Sequence, residues 1–147
     1  MIIREFRPKD LKKVFEIEKM SFSNPYAIEM LKHLFDIGAG FLVAQISDYI
    51  VGYIIFWIKE ENQGHIISLA VEKNYKRQNI GSKLIKAAID IFKNFGIKRI
   101  NLEVKTQNKE AICFYESFGF FCDKKILNYY ENGDDAFRMS FIYFDET

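Results

Sequence analysis

Cysteine is scarce. The two present, Cys113 and Cys122, share no Cys-x-x-Cys spacing and have no histidine nearby, which excludes a disulfide framework and a thiolate metal site. Both lie in apolar sequence and are expected to be buried free thiols of a reducing compartment, and no metal is expected. A charge excess is also missing: 21 Lys and Arg against 20 Asp and Glu leave a formal net charge of +1, which argues against nucleic acid as the main ligand. No apolar run approaches membrane-spanning length, and Met1-Ile-Ile-Arg-Glu-Phe6 is not a signal peptide, so no membrane partner is expected and cytoplasm is the expected location. There is no repeat, linker or low-complexity segment, and 147 residues suit a single domain over 1–147. Aromatic residues, by contrast, are plentiful: 15 Phe and 8 Tyr promise an aromatic core.

Along the chain, Ile2 to Phe6 suits a strand, and Pro8 suits the first turn of a helix reaching about Met20. In that helix Leu11, Val14, Phe15 and Ile17 form a buried stripe with Glu18 on an acidic edge. Phe22-Ser-Asn-Pro-Tyr26 breaks it, and a second helix spans roughly Ala27 to Ile37. Phe41 to Ile46 and Ile50 to Lys59 read as a hairpin around Ser47-Asp48-Tyr49. After a polar turn, Glu60 to Gly64, comes His65 to Val71, nearly continuously apolar as if both its faces were covered, with His65 and Ser68 as the polar members needing a reason. Ile80, Leu84, Ala87, Ala88, Ile91 and Phe95 form one stripe of a long helix stopped by Gly96. Arg99 to Lys105 alternates, with Ile100, Leu102 and Val104 one way and Asn101, Glu103 and Lys105 the other. Asn108 caps a short helix ending at Gly119, and strands are expected at Cys122 to Asn128 and Ala136 to Phe144. The order β-α-α-β-β-β-α-β-α-β-β predicts an α/β fold: a mixed sheet with helices on its faces and a right-handed parallel crossover from His65–Val71 to Arg99–Lys105.

Between the central strand and the long helix lies a basic loop, Glu72 to Asn79. The first amides of a helix have no acceptor inside it, and with the positive end of the dipole they bind anions. Lys73, Lys76 and Arg77 add charge, Gly81 lets a bulky ligand approach the backbone, and Asn79 tolerates left-handed geometry. Neither a three-glycine dinucleotide fingerprint nor a Gly-Lys-Ser/Thr loop is present.

Lys76-Arg77-Gln78-Asn79-Ile80-Gly81 resembles the acetyl-coenzyme A loop of the GNAT acetyltransferase superfamily, Gln/Arg-x-x-Gly-x-Gly/Ala, with Lys76 and Asn79 as departures. Gly64-His-Ile-Ile-Ser-Leu-Ala-Val71 and Leu102-Glu-Val-Lys-Thr-Gln-Asn-Lys-Glu-Ala-Ile-Cys-Phe-Tyr-Glu-Ser-Phe-Gly-Phe120 resemble the ribosomal-protein-alanine and archaeal Ard-type N-terminal acetyltransferases, and Phe22–Tyr26, Asn128–Tyr130 and Gly133–Ala136 fit the same branch. The resemblance implies a mostly antiparallel sheet with one parallel pair splayed at the cofactor site. It implies acetyl-CoA as cofactor, held by the backbone of Leu69, Ala70 and Val71, by the loop from Lys76 through Arg77, Gln78, Asn79, Ile80 and Gly81 to Ser82, and by Asn108. It implies a protein or peptide N-terminus as substrate, walled by Phe22, Pro25, Tyr26, Tyr129 and Tyr130.

The chemistry is attack of a neutral amine on a thioester, which calls for a base and for a proton donor to the leaving thiolate. Spacing alone leaves Glu103 open to being an ordinary solvated strand residue, His65 a hydrogen-bonded one and Tyr115 a core aromatic. The resemblance implies Glu103 as base, His65 as second proton acceptor and Tyr115 as acid near the sulfur. A GNAT enzyme for small amines or lysine side chains, and a non-catalytic acyl-CoA-binding module, are the other readings; monomer and homodimer stay equally open.

Overall fold

The structure, a computed structural model, describes residues 1–59, 62–76 and 78–143. The expected turn at Glu60-Glu61, the role of Arg77 and the strand end at Phe144 lie outside them. Strands are β1 (Ile2–Glu5), β2 (Gly40–Ile46), β3 (Tyr49–Lys59), β4 (Gln63–Val71), β5 (Arg99–Lys105), β6 (Phe121–Ile126) and β7 (Ala136–Ile142); helices are α1 (Leu11–Ser21), α2 (Ile28–Asp36), α3 (Ile80–Asn94) and α4 (Lys109–Ser117). Short 3-10 turns at Pro8–Asp10 and Lys73–Tyr75 introduce α1 and follow β4. The seven strands run β1-β2-β3-β4-β5-β7-β6, with helices around the sheet. β1–β2, β2–β3, β5–β7 and β6–β7 are antiparallel and β4–β5 is parallel, so the expected mixed, mostly antiparallel α/β fold is the one observed. The β4–β5 register runs only through Gln63↔Arg99, Gly64↔Ile100 and His65↔Asn101, then stops.

Contacts divide the chain into two compact units, Met1–Trp57 with Ile66–Phe92, and Ile58–His65 with the chain from Lys93 onward. In the first unit, Phe6, Val14, Ile17, Leu31, Phe41, Val43, Tyr53 and Ile55 form the core, with Phe6 stacked on Phe41 at 4.0 Å. α3 buries Ile80, Leu84, Ile85, Ala88, Ile89 and Phe92. Each large side chain so buried contributes about 1.5–3 kcal/mol. Gly52 permits the approach of α3 to β3: a Cβ there would lie 3.1 Å from the Ala70 carbonyl oxygen and 3.2 Å from Leu84 Cδ1. The second unit is built on Ile100, Leu102 and Val104 of β5, Tyr115 and Phe120 from α4 and its exit, and Met139 of β7, all buried.

Four expectations fail. The α3 stripe is turned: Phe95 is 69 % exposed and Ala87 and Ile91 only half-buried, while Ile85, Ile89 and Phe92 are inside. Isoleucines flank both edges of the stripe, so periodicity alone does not decide between them. β4 is not covered on both faces but alternates, Gly64, Ile66, Ser68 and Ala70 being buried and His65, Ile67, Leu69 and Val71 half-buried. Both cysteines are exposed. Cys113 is on the outer side of α4 and Cys122 is on the edge strand β6, most of which is open to solvent. Finally, Glu18 is no edge residue: it is 1 % exposed.

Candidate active site

β5 alternates as its sequence dictates, and the face carrying Asn101, Glu103 and Lys105 is the one His65 reaches from β4. His65 Nε2 and Glu103 Oε1 are 2.7 Å apart, with side chains only 15 % and 14 % exposed. The Tyr129 hydroxyl donates to the same Glu103 oxygen at 3.3 Å. Burial by itself would push the Glu103 carboxyl upward; the His65 hydrogen bond and charge, the Lys59 charge and the Tyr129 hydroxyl outweigh it and hold Glu103 below the ordinary carboxylate range. A carboxylate tied to an imidazole can accept a proton and hand it on across that bond.

Tyr115 reaches the second unit's core from α4, a helix started as expected by Asn108, whose side-chain oxygen accepts from the Ala111 amide at 3.1 Å. The Tyr115 ring lies edge-on between Phe114 and Phe120, at 5.2 and 5.6 Å, and is 9 % exposed. No protein hydrogen bond to its hydroxyl is formed among the described residues. Burial, with Tyr130 nearby, pushes the phenol well above its ordinary value, so it stays protonated through the neutral range.

Tyr129 and Tyr130 pack edge-on at 5.0 Å in the loop after β6. That loop is lashed to the end of β5. Lys105 Nζ pairs with Asp134 Oδ2 at 3.0 Å and lies over the Tyr130 ring at 5.1 Å. Asp135 accepts the Asn128 amide at 2.9 Å, and its carbonyl accepts the Thr106 amide at 3.2 Å. Asp134 and Asp135 are thus engaged in shaping the loop. The second unit therefore brings His65, Glu103 and Tyr129 into direct contact, with Tyr115 and Tyr130 as neighbours.

In the first unit the candidate cofactor residues fit an anionic group. Asn79 sits at φ 60°, the left-handed geometry that its side chain tolerates. Its carbonyl accepts the Lys83 amide at 3.0 Å, the first bond of α3, so the amides of Ile80, Gly81 and Ser82 precede that bond and have no acceptor within the helix. The Ile80 side chain is buried; Gln78 in the preceding bend and Lys76 in the turn before it are both exposed. Leu69 and Val71 are half-buried on β4 beyond the point where its pairing with β5 ends, with Ala70 pointing inward. The α1–α2 loop places Phe22 against the core and leaves Pro25 and Tyr26 exposed.

Sequence reasoning missed the role of Glu18. Its carboxylate accepts from the Tyr53 hydroxyl, from the Ser68 hydroxyl at 2.7 Å and from the Tyr26 amide at 3.0 Å, so it fixes the α1–α2 loop to β3 and β4. Ser68, a lone hydroxyl in an apolar strand, was the available signal. Among the described residues no three His, Cys, Asp or Glu side chains are grouped to hold a metal, and no helix is long and apolar enough to cross a membrane.

A sequence profile of the Acetyltransferase (GNAT) family matches residues 11–120. An uncharacterized N-acetyltransferase of Methanocaldococcus jannaschii is 39 % identical over 141 residues, covering 95 % of this chain and 90 % of the relative. An N-alpha-acetyltransferase of Saccharolobus solfataricus is 32 % identical over 151 residues, covering 94 % and 90 %. The crystal structure of Ard1 from Thermoplasma volcanium superposes with a TM-score of 0.93 at 30 % identity, covering 98 % of each chain. With this fold, the open amides at the mouth of α3 and the Glu103–His65 pair, the chain belongs to the GNAT acetyltransferase family and is an acetyl-CoA-dependent acetyltransferase.

Proposed function

We propose that this chain, as a single domain over 1–147 working in the cytoplasm, acetylates the α-amino group of a protein N-terminus. The observation that carries this reading is the His65–Glu103 contact at 2.7 Å with Tyr129 on the same carboxylate oxygen. When bound, acetyl-CoA supplies an acyl thioester activated toward a neutral amine. The amides of Ile80, Gly81 and Ser82, with Asn79, Gln78, Lys76 and Arg77, would hold its phosphates, and the backbone of Leu69, Ala70 and Val71 with the Asn108 amide its pantetheine arm. Asn108 has its side-chain oxygen engaged in the cap, which leaves its NH2 group for that task.

Glu103 takes the ammonium proton of the incoming amine, directly or through a water, and His65, when its ring is neutral, is the second acceptor that carries it outward across the hydrogen bond. An α-amino group titrates near 8 and a lysine near 10.4, so deprotonating the α-amine asks less of the base. Tyr115, protonated by virtue of its burial, is the acid. Tyr129 and Tyr130 in the second unit, and Phe22, Pro25 and Tyr26 in the first, are side chains of the aromatic and apolar kind that suits the first residues of a flexible peptide. The name of the S. solfataricus relative supports the α-amine as acceptor.

Mass spectrometry of peptide libraries incubated with the purified chain and acetyl-CoA tests this. Acetylation is expected at peptide α-amines, with spermidine and internal lysines poor acceptors. Preferential acetylation of lysine or spermidine would overturn the choice of substrate, and no thiol release with any amine would make the chain a binding module.

A further inference from the structure

β5 and β7 pair so that Glu103 stands directly opposite Arg138. Residues so placed project from the same face with Cβ atoms about 5 Å apart, and an opposite-charge pair there ordinarily forms a salt bridge. Arg138 forms none with Glu103 among the described residues. Its guanidinium is turned to Asp123 instead, Nε donating to Oδ1 at 2.9 Å and Nη2 to Oδ2 at 3.3 Å. Asp123 is itself fixed: Arg99 Nη2 donates to Oδ2 at 2.6 Å, and the Ser140 hydroxyl lies 2.7 Å from the same oxygen and 2.6 Å from Asn101 Oδ1. The carboxylate reaches this face because β6 is irregular there. Cys122 pairs with Met139 and Lys124 with Arg138, consecutive positions on β7, so Asp123 is the extra residue of a bulge.

We propose that Asp123 is a positioning residue that tethers Arg138 away from Glu103, so that the carboxylate keeps His65 and Tyr129 as partners and is not captured in an ion pair. The functional consequence rests on Glu103 being the base. The titratable and charged groups facing Glu103 are His65 from β4, Lys59 from the end of β3, Tyr129 from the loop after β6 and Arg138 from β7; Lys105, on its own strand, is engaged by Asp134. Arg138 is the one of these whose counter-ion can be removed without touching the others. A guanidinium released onto Glu103 at about 5 Å would make protonation of the carboxylate harder by about one pH unit.

The test uses Asp123→Asn, Arg138→Met and the double variant, with thermal melts of each; Asp123→Ser replaces Asp123→Asn if the latter does not fold. Two readouts are taken, the titration of the Glu103 side-chain carboxyl by 13C NMR and the pH dependence of kcat/KM with acetyl-CoA and a short peptide. Asp123→Asn is expected to lower the Glu103 titration and the acidic limb together by about one pH unit and to lower kcat several-fold. Arg138→Met, which also removes the charge that Arg138 already exerts on Glu103, should leave the titration at or slightly above that of the parent, and the double variant should match Arg138→Met. A Glu103 titration that is unmoved or raised in Asp123→Asn overturns the tether, as does an equal drop in the double variant, which would trace the effect to the lost Asp123 charge alone. If the NMR titration falls while the acidic limb stays in place, the tether stands and Glu103 is not the base.

Discussion

Replacing His65 with alanine should raise the pH at which Glu103 takes up its proton by about one to two units. Burial drives that carboxyl upward, and the His65 hydrogen bond is the largest influence opposing it. A hydrogen bond to a charged group is worth about 1.5–3 kcal/mol, and at about 1.4 kcal/mol per unit of pKa its loss gives the stated shift. Both side chains are about 85 % buried, so solvent screening leaves most of it. The sign for stability follows. Because Glu103 is held lower in the folded chain than in the unfolded one, its stabilisation is present above the unfolded value and is lost as pH falls through the folded value. In His65→Ala that contribution shrinks, and acid destabilisation starts at higher pH. The assay is kcat/KM by product mass spectrometry between about pH 3.5 and 8, with melting curves at each pH to separate unfolding from titration. The parent should show an acidic limb below the ordinary carboxylate range, and His65→Ala the same limb displaced upward. A parent limb near the imidazole value of about 6.5 that vanishes in His65→Ala would refute the reasoning, because the titrating group would then be His65.

Tyr115→Phe should lower kcat by about a hundredfold with KM for peptide nearly unchanged, the signature of a lost proton donor; steady-state kinetics with kcat intact would remove Tyr115 from the mechanism. Asn79 already occupies φ 60°, so Asn79→Gly should change acetyl-CoA affinity by no more than about twofold in a calorimetric titration, and a tenfold gain would show that the asparagine hinders binding. Glu18→Ala removes the acceptor shared by Tyr53, Ser68 and the Tyr26 amide and should cost about 2–4 kcal/mol in urea unfolding; a loss under about 1 kcal/mol would mean that the loop does not depend on it.

The strand alternation that sets Glu103 opposite Ile100, Leu102 and Val104 is legible in the sequence because a period of two assigns faces without knowledge of partners. The Asn108 cap and the left-handed Asn79 are legible for the same reason: each is a local matter of backbone and side-chain chemistry. What fails is whatever depends on a neighbour distant in sequence. Phe95 continues an apolar stripe that the packed side of α3 does not follow, and Cys113 and Cys122 sit in apolar sequence on elements whose outer sides face water. Glu18 reads as a surface carboxylate until Tyr53 and Ser68, 35 and 50 residues on, supply their hydroxyls. The contact of His65 with Glu103 likewise depends on a parallel register only three residues long, which no local pattern announces.

The irregularity in β6 has an evolutionary side. Since Cys122↔Met139 and Lys124↔Arg138 are intact on either side of residue 123, the ladder needs nothing from that residue. Gain or loss of a single codon could add or delete the acidic anchor while leaving the register of every other pair as it is. On the proposal made above for Asp123, the setting of the Glu103 carboxylate would be adjustable by an insertion at the rim of the sheet, without any change to Glu103, His65 or Tyr129.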